Sequence, residues 1–235
     1  MQNRDIKEKN DSLIAFLNDA EHDLKQPLRA ISFNASILLE DYSNTLEPEA
    51  IDTIESIQNY NKNLSNSILA LLNYERITQY QKDYSNLNLK EIADDVIDEL
   101  EALISEKKAI VTVCPTLPNS YGDRDQIHEI FYHLILNALT YNDNKKPKVE
   151  ISANIDKGGN VVYSIKDNGI GISEKYKDQI FKAFKQLPLK GKTPESTGMG
   201  LCLVKKIIGL HGGNIWVASE KNEGSTFFFT LVKEK

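Results

Sequence analysis

The sequence predicts two structural classes in succession: an α-helical hairpin that pairs with a second copy into a dimeric four-helix bundle, followed by an α+β sandwich. Three observations carry that prediction. No glycine occurs from Asp11 to Tyr80, where the only prolines are Pro27 and Pro48, and all twelve glycines come later. Apolar residues in this first stretch recur at helical spacing. Beyond about residue 86, helical periods alternate with short period-two runs.

The elements follow in order. Leu17, Leu24, Ile31 and Leu38 recur every seventh residue, with Ala20, Leu28, Ala35 and Tyr42 at the intermediate steps, so the first helix carries one apolar stripe. A second stripe runs through Ile54, Ile57, Leu64, Ile68 and Leu71. Between them SNTLEPE supplies a turn, with Asn44 or Thr45 as a cap and Pro48 in a first helical turn. Two antiparallel helices leave half of each stripe wet, so a homodimer is expected. After KDYSN, residues 87–108 read as an amphipathic helix, 110–115 as a strand and 125–142 as a helix. Residues 148–156 and 160–169 read as alternating strands around a Gly-Gly turn. A helix near Glu174 to Gln186, a loop over 187–196, a helix from Gly200 to His211 and strands at 214–220 and 225–232 complete the chain. Helices on one face of a mixed sheet follow from this order, with domains expected at 1–84 and 85–235.

Composition excludes several functions. With 28 Lys and Arg against 34 Asp and Glu, the net charge is −6, and no basic patch of the kind a phosphate backbone requires is present; nucleic acid is not expected as a partner. Cys114 and Cys202 are too few and too far apart for a zinc site or a disulfide scaffold. No apolar run approaches the ~20 residues that span a bilayer, and the opening MQNRDIKEKND is too polar for a signal peptide. The segment is therefore expected to be cytoplasmic, without direct membrane contact. His128, His133 and His211 lack metal-site spacing.

His22 is the first candidate for chemistry. With Leu17 and Leu24 at a positions of a heptad, His22 falls at f and faces water. Asp23 follows it, Gln26 lies one turn on along the same face, and Pro27 removes a backbone hydrogen bond. A carboxylate that accepts the Nδ1 proton would leave Nε2 as an accessible nucleophile. An exposed solvated histidine is the bland alternative. Further on, DNGIGI (167–172) places an acid before two glycines at a strand end, and STGMGL (196–201) opens a helix with two more. Glycines at a helix start let backbone N–H groups approach phosphate. Asn137 sits among apolar neighbours in HLILNALTYN, where an amide is expected to have a partner.

These segments resemble, in order and spacing, the motifs of sensor histidine kinases. EHDLKQPLR is similar to the H box, HLILNALTYN to the N box, DNGIGI to the G1 box and IFKAFKQL to the F box. STGMGLCLVKKIIGLHGGNIWV resembles the G2 box with its trailing helix and strand, and EGSTFFFTL the closing G3 element. The wording of the first box lies nearest the phytochrome-type branch. The resemblance implies that His22 is the phosphoacceptor, Asp23 its orienting base, and the hairpin a dimerisation and phosphotransfer bundle. It implies a Bergerat-type ATP-binding fold for the second part, with ATP and Mg²⁺ bound there. Asn137 would ligate the metal, Asp167 would accept from the adenine amino group, and Gly169 and Gly171 would shape that pocket. Residues 187–196 would form a lid, closed on the phosphates by Gly198 and Gly200 and anchored by Phe181 and Phe184. Tyr141, Lys192, Thr197, Leu201 and Thr226 are implied as further nucleotide contacts. The phosphoryl group would pass to an aspartate of a response-regulator receiver domain.

The chain departs from the family pattern in several places. His133 stands where the first N-box asparagine is usual, and Thr140 where a lysine is usual, so two phosphate contacts are in question; Lys145, Lys190 or Lys192 are the candidate substitutes. Gln26 occupies a position commonly Thr or Asn and linked to dephosphorylation of the partner, and Glu195 and Ser196 open the G2 box where glycine is common. A degenerate member acting as a dimeric scaffold or receiver phosphatase is therefore the alternative. About twenty residues precede His22, too few for an input domain, so a longer parent or a signal from a partner is expected.

Overall fold

The computed structural model describes residues 2–79, 83–186 and 197–231, and these form two units.

The first unit is a helical hairpin of α1 (Gln2–Tyr42) and α2 (Pro48–Gln79). Pro48 is the first residue of α2, where its missing N–H costs nothing. Thr45 caps the other helix: its Oγ1 donates to the Tyr42 carbonyl at 2.9 Å and its N–H to the same oxygen at 2.8 Å. The start of α2 is closed by the Glu47 carbonyl, which accepts from Ala50 and Ile51. The single stripe read along α1 divides in two. Leu28 and Ala35 are buried, as are Ile54 and Leu72 of α2, and these form the seam inside the hairpin. Leu24, Ile31 and Leu38 stay exposed, as do Ile57, Leu64 and Leu71, two heptad rows that the single hairpin leaves uncovered. A polar contact sits within the seam. Asn61, 6% exposed, donates from Nδ2 to the Leu28 carbonyl and lies 2.7 Å from the Ser32 hydroxyl, and Gln58 Nε2 donates to Ser36 Oγ at 3.1 Å.

The second unit is the sandwich. Its five-stranded sheet runs β2 (Ile110–Val113), β4 (Lys148–Ile155), β5 (Val161–Asp167), β7 (Gly224–Thr230), β6 (Ile215–Glu220). Only β2 and β4 are parallel; the other pairs are antiparallel. Alternation sets the core face: Val149 and Ile151 of β4, Tyr163 and Ile165 of β5, and Phe227 and Phe229 of β7 are buried. Buried residues of three helices complete the core, namely α3 (Leu89–Glu99), α5 (Arg124–Thr140) and α6 (Gly200–Leu210). Phe229 joins the layers, stacked on Tyr163 at 5.3 Å and edge-on to Phe131 of α5 at 6.1 Å.

Three sequence expectations are corrected. Residues 87–108 form two helices, α3 and α4 (Glu101–Lys107), because buried Leu100 leaves helical dihedrals at ψ 7°. The expected helix over 174–186 is a 3₁₀ turn at Glu174–Tyr176 followed by further turns, closed mainly by i→i+3 bonds such as Lys177 N–H to Glu174 O and Lys182 N–H to Gln179 O. Its apolar residues do not form a stripe: Ile180 is buried, whereas Phe184 is exposed with φ +58°. A two-stranded antiparallel ribbon of β1 (Tyr84–Leu87) and β3 (Ser120–Asp123) has no signature in the sequence, since neither strand alternates. The expected boundary between 84 and 85 falls inside β1, where Tyr84 pairs with Asp123, so the second unit includes Tyr84.

Replacing Asn61 by Ala removes the polar contact inside the seam. A loss of about 1 kcal/mol is expected, read as a lower urea midpoint at unchanged m-value; an unchanged midpoint would show that the contact contributes nothing to stability.

Candidate functional site

In the hairpin, His22 stands on the exposed side of α1, its side chain 72% exposed, with Nδ1 3.5 Å from Asp23 Oδ1. Gln26 is also exposed, one turn on. Pro27 lies inside α1, so the carbonyl of Asp23 lacks the helical N–H that would otherwise meet it. These three expected residues thus lie on one accessible stretch of helix, away from the buried seam residues Leu28 and Ala35.

In the sandwich, the sheet and helices meet at Asp167, the last residue of β5 and 8% exposed. Its Oδ1 accepts from the N–H of Gly169 at 2.7 Å and of Ser225 at 3.2 Å. Burial raises the Asp167 carboxyl above its ordinary value, against the lowering effect of those two hydrogen bonds. With Oδ1 so engaged, Oδ2 is the oxygen left for a donor from a ligand. The glycines of the turn are steric requirements. A Cβ on Gly169 would lie 2.4 Å from the Tyr141 carbonyl, and one on Gly171, whose φ is +66°, 1.9 Å from the Glu220 carbonyl. Tyr141 caps the end of α5, and its carbonyl accepts from Ile170 N–H at 3.1 Å, so its backbone forms one wall.

Asn137 lies one turn before that cap and is half-buried. Among the described residues its carboxamide has no hydrogen-bond partner, which departs from the satisfied core amide expected of its apolar neighbours. An unengaged, half-buried amide oxygen suits a hard cation such as Mg²⁺, which takes few protein ligands and completes its shell with phosphate and water. Gly200 opens α6, half-buried Leu201 follows, and Gly198 has φ +70°. Met199 N–H donates to Thr197 Oγ1 at 3.3 Å. Phe181 packs edge-on against Phe227 at 6.4 Å. Lys192, with the lid expected over 187–196, lies outside the described residues.

The placement of Thr226 is corrected. It pairs with Lys166 and Ala218, both exposed, on the outer face of the sheet. Its neighbour Ser225 shares the inner face with Asp167, Phe227 and Phe229, and its Oγ lies 3.0 Å from Ser219 Oγ. The alternation of buried Phe227 and Phe229 was the signal that could have identified Ser225. Sequence reasoning also missed an asparagine network behind the turn. Buried Asn142 donates from Nδ2 to Asn168 Oδ1 at 2.9 Å, the same oxygen accepts from Lys148 N–H at 2.8 Å, and Asn144 Nδ2 donates to the Asn168 carbonyl. The cluster TYNDN, rich in side chains that bond backbone, was its only trace.

Comparison with known proteins assigns both units. Residues 12–79 match the model of the His Kinase A (phospho-acceptor) domain, and 122–235 that of the histidine kinase-, DNA gyrase B-, and HSP90-like ATPase. Cyanobacterial phytochrome B of Nostoc sp. is 36% identical over 229 residues, covering 97% of this chain and 30% of that protein. The adaptive-response sensory kinase SasA of Prochlorococcus marinus is 30% identical over 234 residues, covering 98% and 60%. The chain thus spans about a third or less of the phytochrome relatives it matches. Full-length ShkA, solved in complex with AMPPNP, shares the fold at a TM-score of 0.65 and 20% identity, over 94% of this chain and 47% of that one.

Asp167→Asn tests the pocket. The amide oxygen retains the bonds from Gly169 and Ser225 but turns an N–H outward, against the amino group of an adenine. A loss of ATP affinity of at least about tenfold is expected by titration calorimetry. A raised carboxyl pKa means that the native state holds the proton more tightly than the unfolded chain, so ionisation costs stability as pH rises through and above the ordinary carboxylate range. The neutral variant is therefore expected to melt at or above the wild-type temperature at pH 7, and a large fall would mark the residue as structural.

Proposed function

The chain belongs to the histidine kinase family, with a phosphoacceptor domain and an ATPase-type domain in one polypeptide, and from that premise we propose that it is an ATP-dependent protein-histidine kinase of a two-component system. It phosphorylates itself on His22 and passes the group to an aspartate of a response-regulator receiver domain. The observation that carries this reading is the pairing of exposed His22 with Asp23 at 3.5 Å, within the segment matched as the phosphoacceptor domain.

The chemistry follows from the residues. Asp23 accepts the Nδ1 proton of His22 and fixes the tautomer that presents the Nε2 lone pair. Nε2 bonds to the γ-phosphorus of ATP as the bond to the β,γ-bridging oxygen breaks, ADP leaves, and the Nδ1 proton moves to Asp23. Phosphoryl transfer asks the protein mainly for positioning and charge stabilisation. Asp167 and the glycine turn bind the base, and Asn137 holds Mg²⁺, which when bound neutralises phosphate charge. In the second step a receiver carboxylate displaces the imidazole. The domains expected at 1–84 and 85–235, with the boundary moved to before Tyr84, serve dimerisation with phosphotransfer and ATP binding respectively. The uncovered rows Leu24, Ile31, Leu38 and Ile57, Leu64, Leu71 support a homodimer closed as a four-helix bundle. Among the described residues no helix is long and apolar enough to cross a membrane, and we place the segment in the cytoplasm. The second reading, a dimeric scaffold or receiver phosphatase, is favoured by Thr140 and by exposed Gln26, whose amide is suited to orient a water.

Incubation with γ-labelled ATP and Mg²⁺ is expected to give an acid-labile, base-stable label on the wild type and none on His22→Gln. A wild type that binds ATP and takes no label would move the phosphatase reading ahead, with Gln26→Ala then expected to abolish loss of phosphate from the receiver. The double variant Ile31→Glu/Leu64→Glu is expected to sediment as a monomer where the wild type is a dimer.

A further inference from the structure

Asn61 is the one buried polar residue of the hairpin among the described residues. Its Nδ2 donates to the Leu28 carbonyl and to Ser32 Oγ, each at 2.7 Å. A carbonyl only accepts, so the amide nitrogen is the atom turned toward α1, and both of its hydrogens are used there. Leu28 and Ser32 are four residues apart and lie one above the other on the same face of α1. Asn61 thus holds one turn of α1 at two points. Gln58, one turn earlier on α2, donates to Ser36, one turn further along α1, so the contact continues along the seam. The Asn61 main chain is engaged as well, because its carbonyl accepts from Ser65 Oγ at 2.9 Å.

The place where α1 is held gives this contact a meaning beyond stability. Leu28 directly follows Pro27, which leaves the Asp23 carbonyl without its helical donor. The turn that carries His22, Asp23 and Gln26 is therefore joined to the rest of α1 through a weakened turn, and the turn just beyond it is the one α2 holds. We propose that Asn61 is a positioning residue for phosphorylation of His22: by holding Leu28 and Ser32 it fixes the rotation and height of α1 directly after Pro27, and with them the direction in which Nε2 is presented. This deepens the kinase reading and rests on it. Asn61 acts through the α1 backbone and touches neither His22 nor a nucleotide. One residue step along a helix is a rotation of about 100° and a rise of ~1.5 Å. A displacement of α1 by one step in either sense breaks both bonds and leaves two buried donors unmet. The apolar seam of Leu28, Ala35, Ile54 and Leu72 lacks that directionality, since burial is satisfied over a range of rotations. Movement of the His22 turn is consequently confined to Pro27 and does not spread along the hairpin. Attack in line on phosphorus is sensitive to such placement, because an error of about 1 Å lowers a rate by up to ~100-fold.

The test separates position from stability. Asn61→Leu fills the seam with an apolar side chain of similar size, and the Leu28 carbonyl keeps its own helical donor, the N–H of Ser32, so nothing buried is left unmet. Ser32→Ala removes one of the two bonds. Label incorporation on His22 is timed over a range of Mg-ATP concentrations for wild type and both variants of the full chain, with a thermal melt and a sedimentation run for each. Asn61→Leu is expected to lower kcat about tenfold at unchanged KM for ATP, with a melting temperature at or above wild type and the same sedimentation. Ser32→Ala is expected to give a smaller fall in kcat, again at unchanged KM. A wild-type kcat in Asn61→Leu, a KM that rises with the loss, or rates that follow melting temperature or sedimentation across the three proteins would each overturn the proposal. If Asn61→Leu does not fold, Ser32→Ala carries the test, and a wild-type kcat there overturns it. A wild type that takes no label on His22 overturns the kinase reading and this proposal with it, whereas a labelled wild type with unchanged variants overturns the proposal alone.

Discussion

Three stretches of main chain meet around Asp167 at distances that only glycine allows. The cap of α5, the turn after β5 and the hairpin between β6 and β7 are tied there by backbone bonds, Ile170 N–H to Tyr141 O and Asn222 N–H to Ile170 O. Gly169, Gly171 and Gly224 stand where a Cβ would overlap a carbonyl. The carboxylate is consequently held by main chain, through Gly169 and Ser225, and not by flexible side chains. A turn built this way has its backbone tied before any ligand enters, which suits the adenine contact proposed for it. The asparagines behind it, Asn142, Asn144 and Asn168, fix the same turn from the other side.

The hairpin works by a different division of labour. Its internal seam is narrow, so two further apolar rows remain outside, and the polar contact of Asn61 with Leu28 and Ser32 sits among the buried residues. An amide inside an apolar seam constrains which residues can face it, because any shifted pairing leaves its donors buried and unmet. In the observed pairing Leu24, Ile31 and Leu38 of α1 and Ile57, Leu64 and Leu71 of α2 stay exposed, and His22 keeps its exposed position. The proposed chemistry and the proposed assembly thereby use different faces of the same helix.

Much of the candidate site's local geometry was legible because its signals are local. Asp167 followed by Gly169 and Gly171, Gly198 and Gly200 before an apolar helix, and His22 beside Asp23 are short patterns whose spacing already restricts the backbone. Thr226 shows where that legibility stops. Ser225 and Thr226 are adjacent small hydroxyl residues, and only the register with Lys166 and Ala218 determines which of them faces Asp167. The segment 174–186 fails for a related reason: Ile180, Phe181 and Phe184 suggest a helix by composition, yet the chain turns to bury Ile180 and set Phe181 against Phe227.

By itself the sequence determined the succession of a helical hairpin and a mixed sandwich, the heptad rows, and the identity of the glycine turns, since these depend on residue periodicity and on backbone freedom within a few positions. Tertiary structure alone decided which half of the α1 stripe is buried, which hydroxyl joins Asp167, the pairing of β1 with β3, and the two bonds of Asn61 to Leu28 and Ser32. Each of these depends on contact between elements distant in the chain, or on which side of an element meets a neighbour. Neither spacing nor propensity encodes that, because burial is settled only when the elements pack.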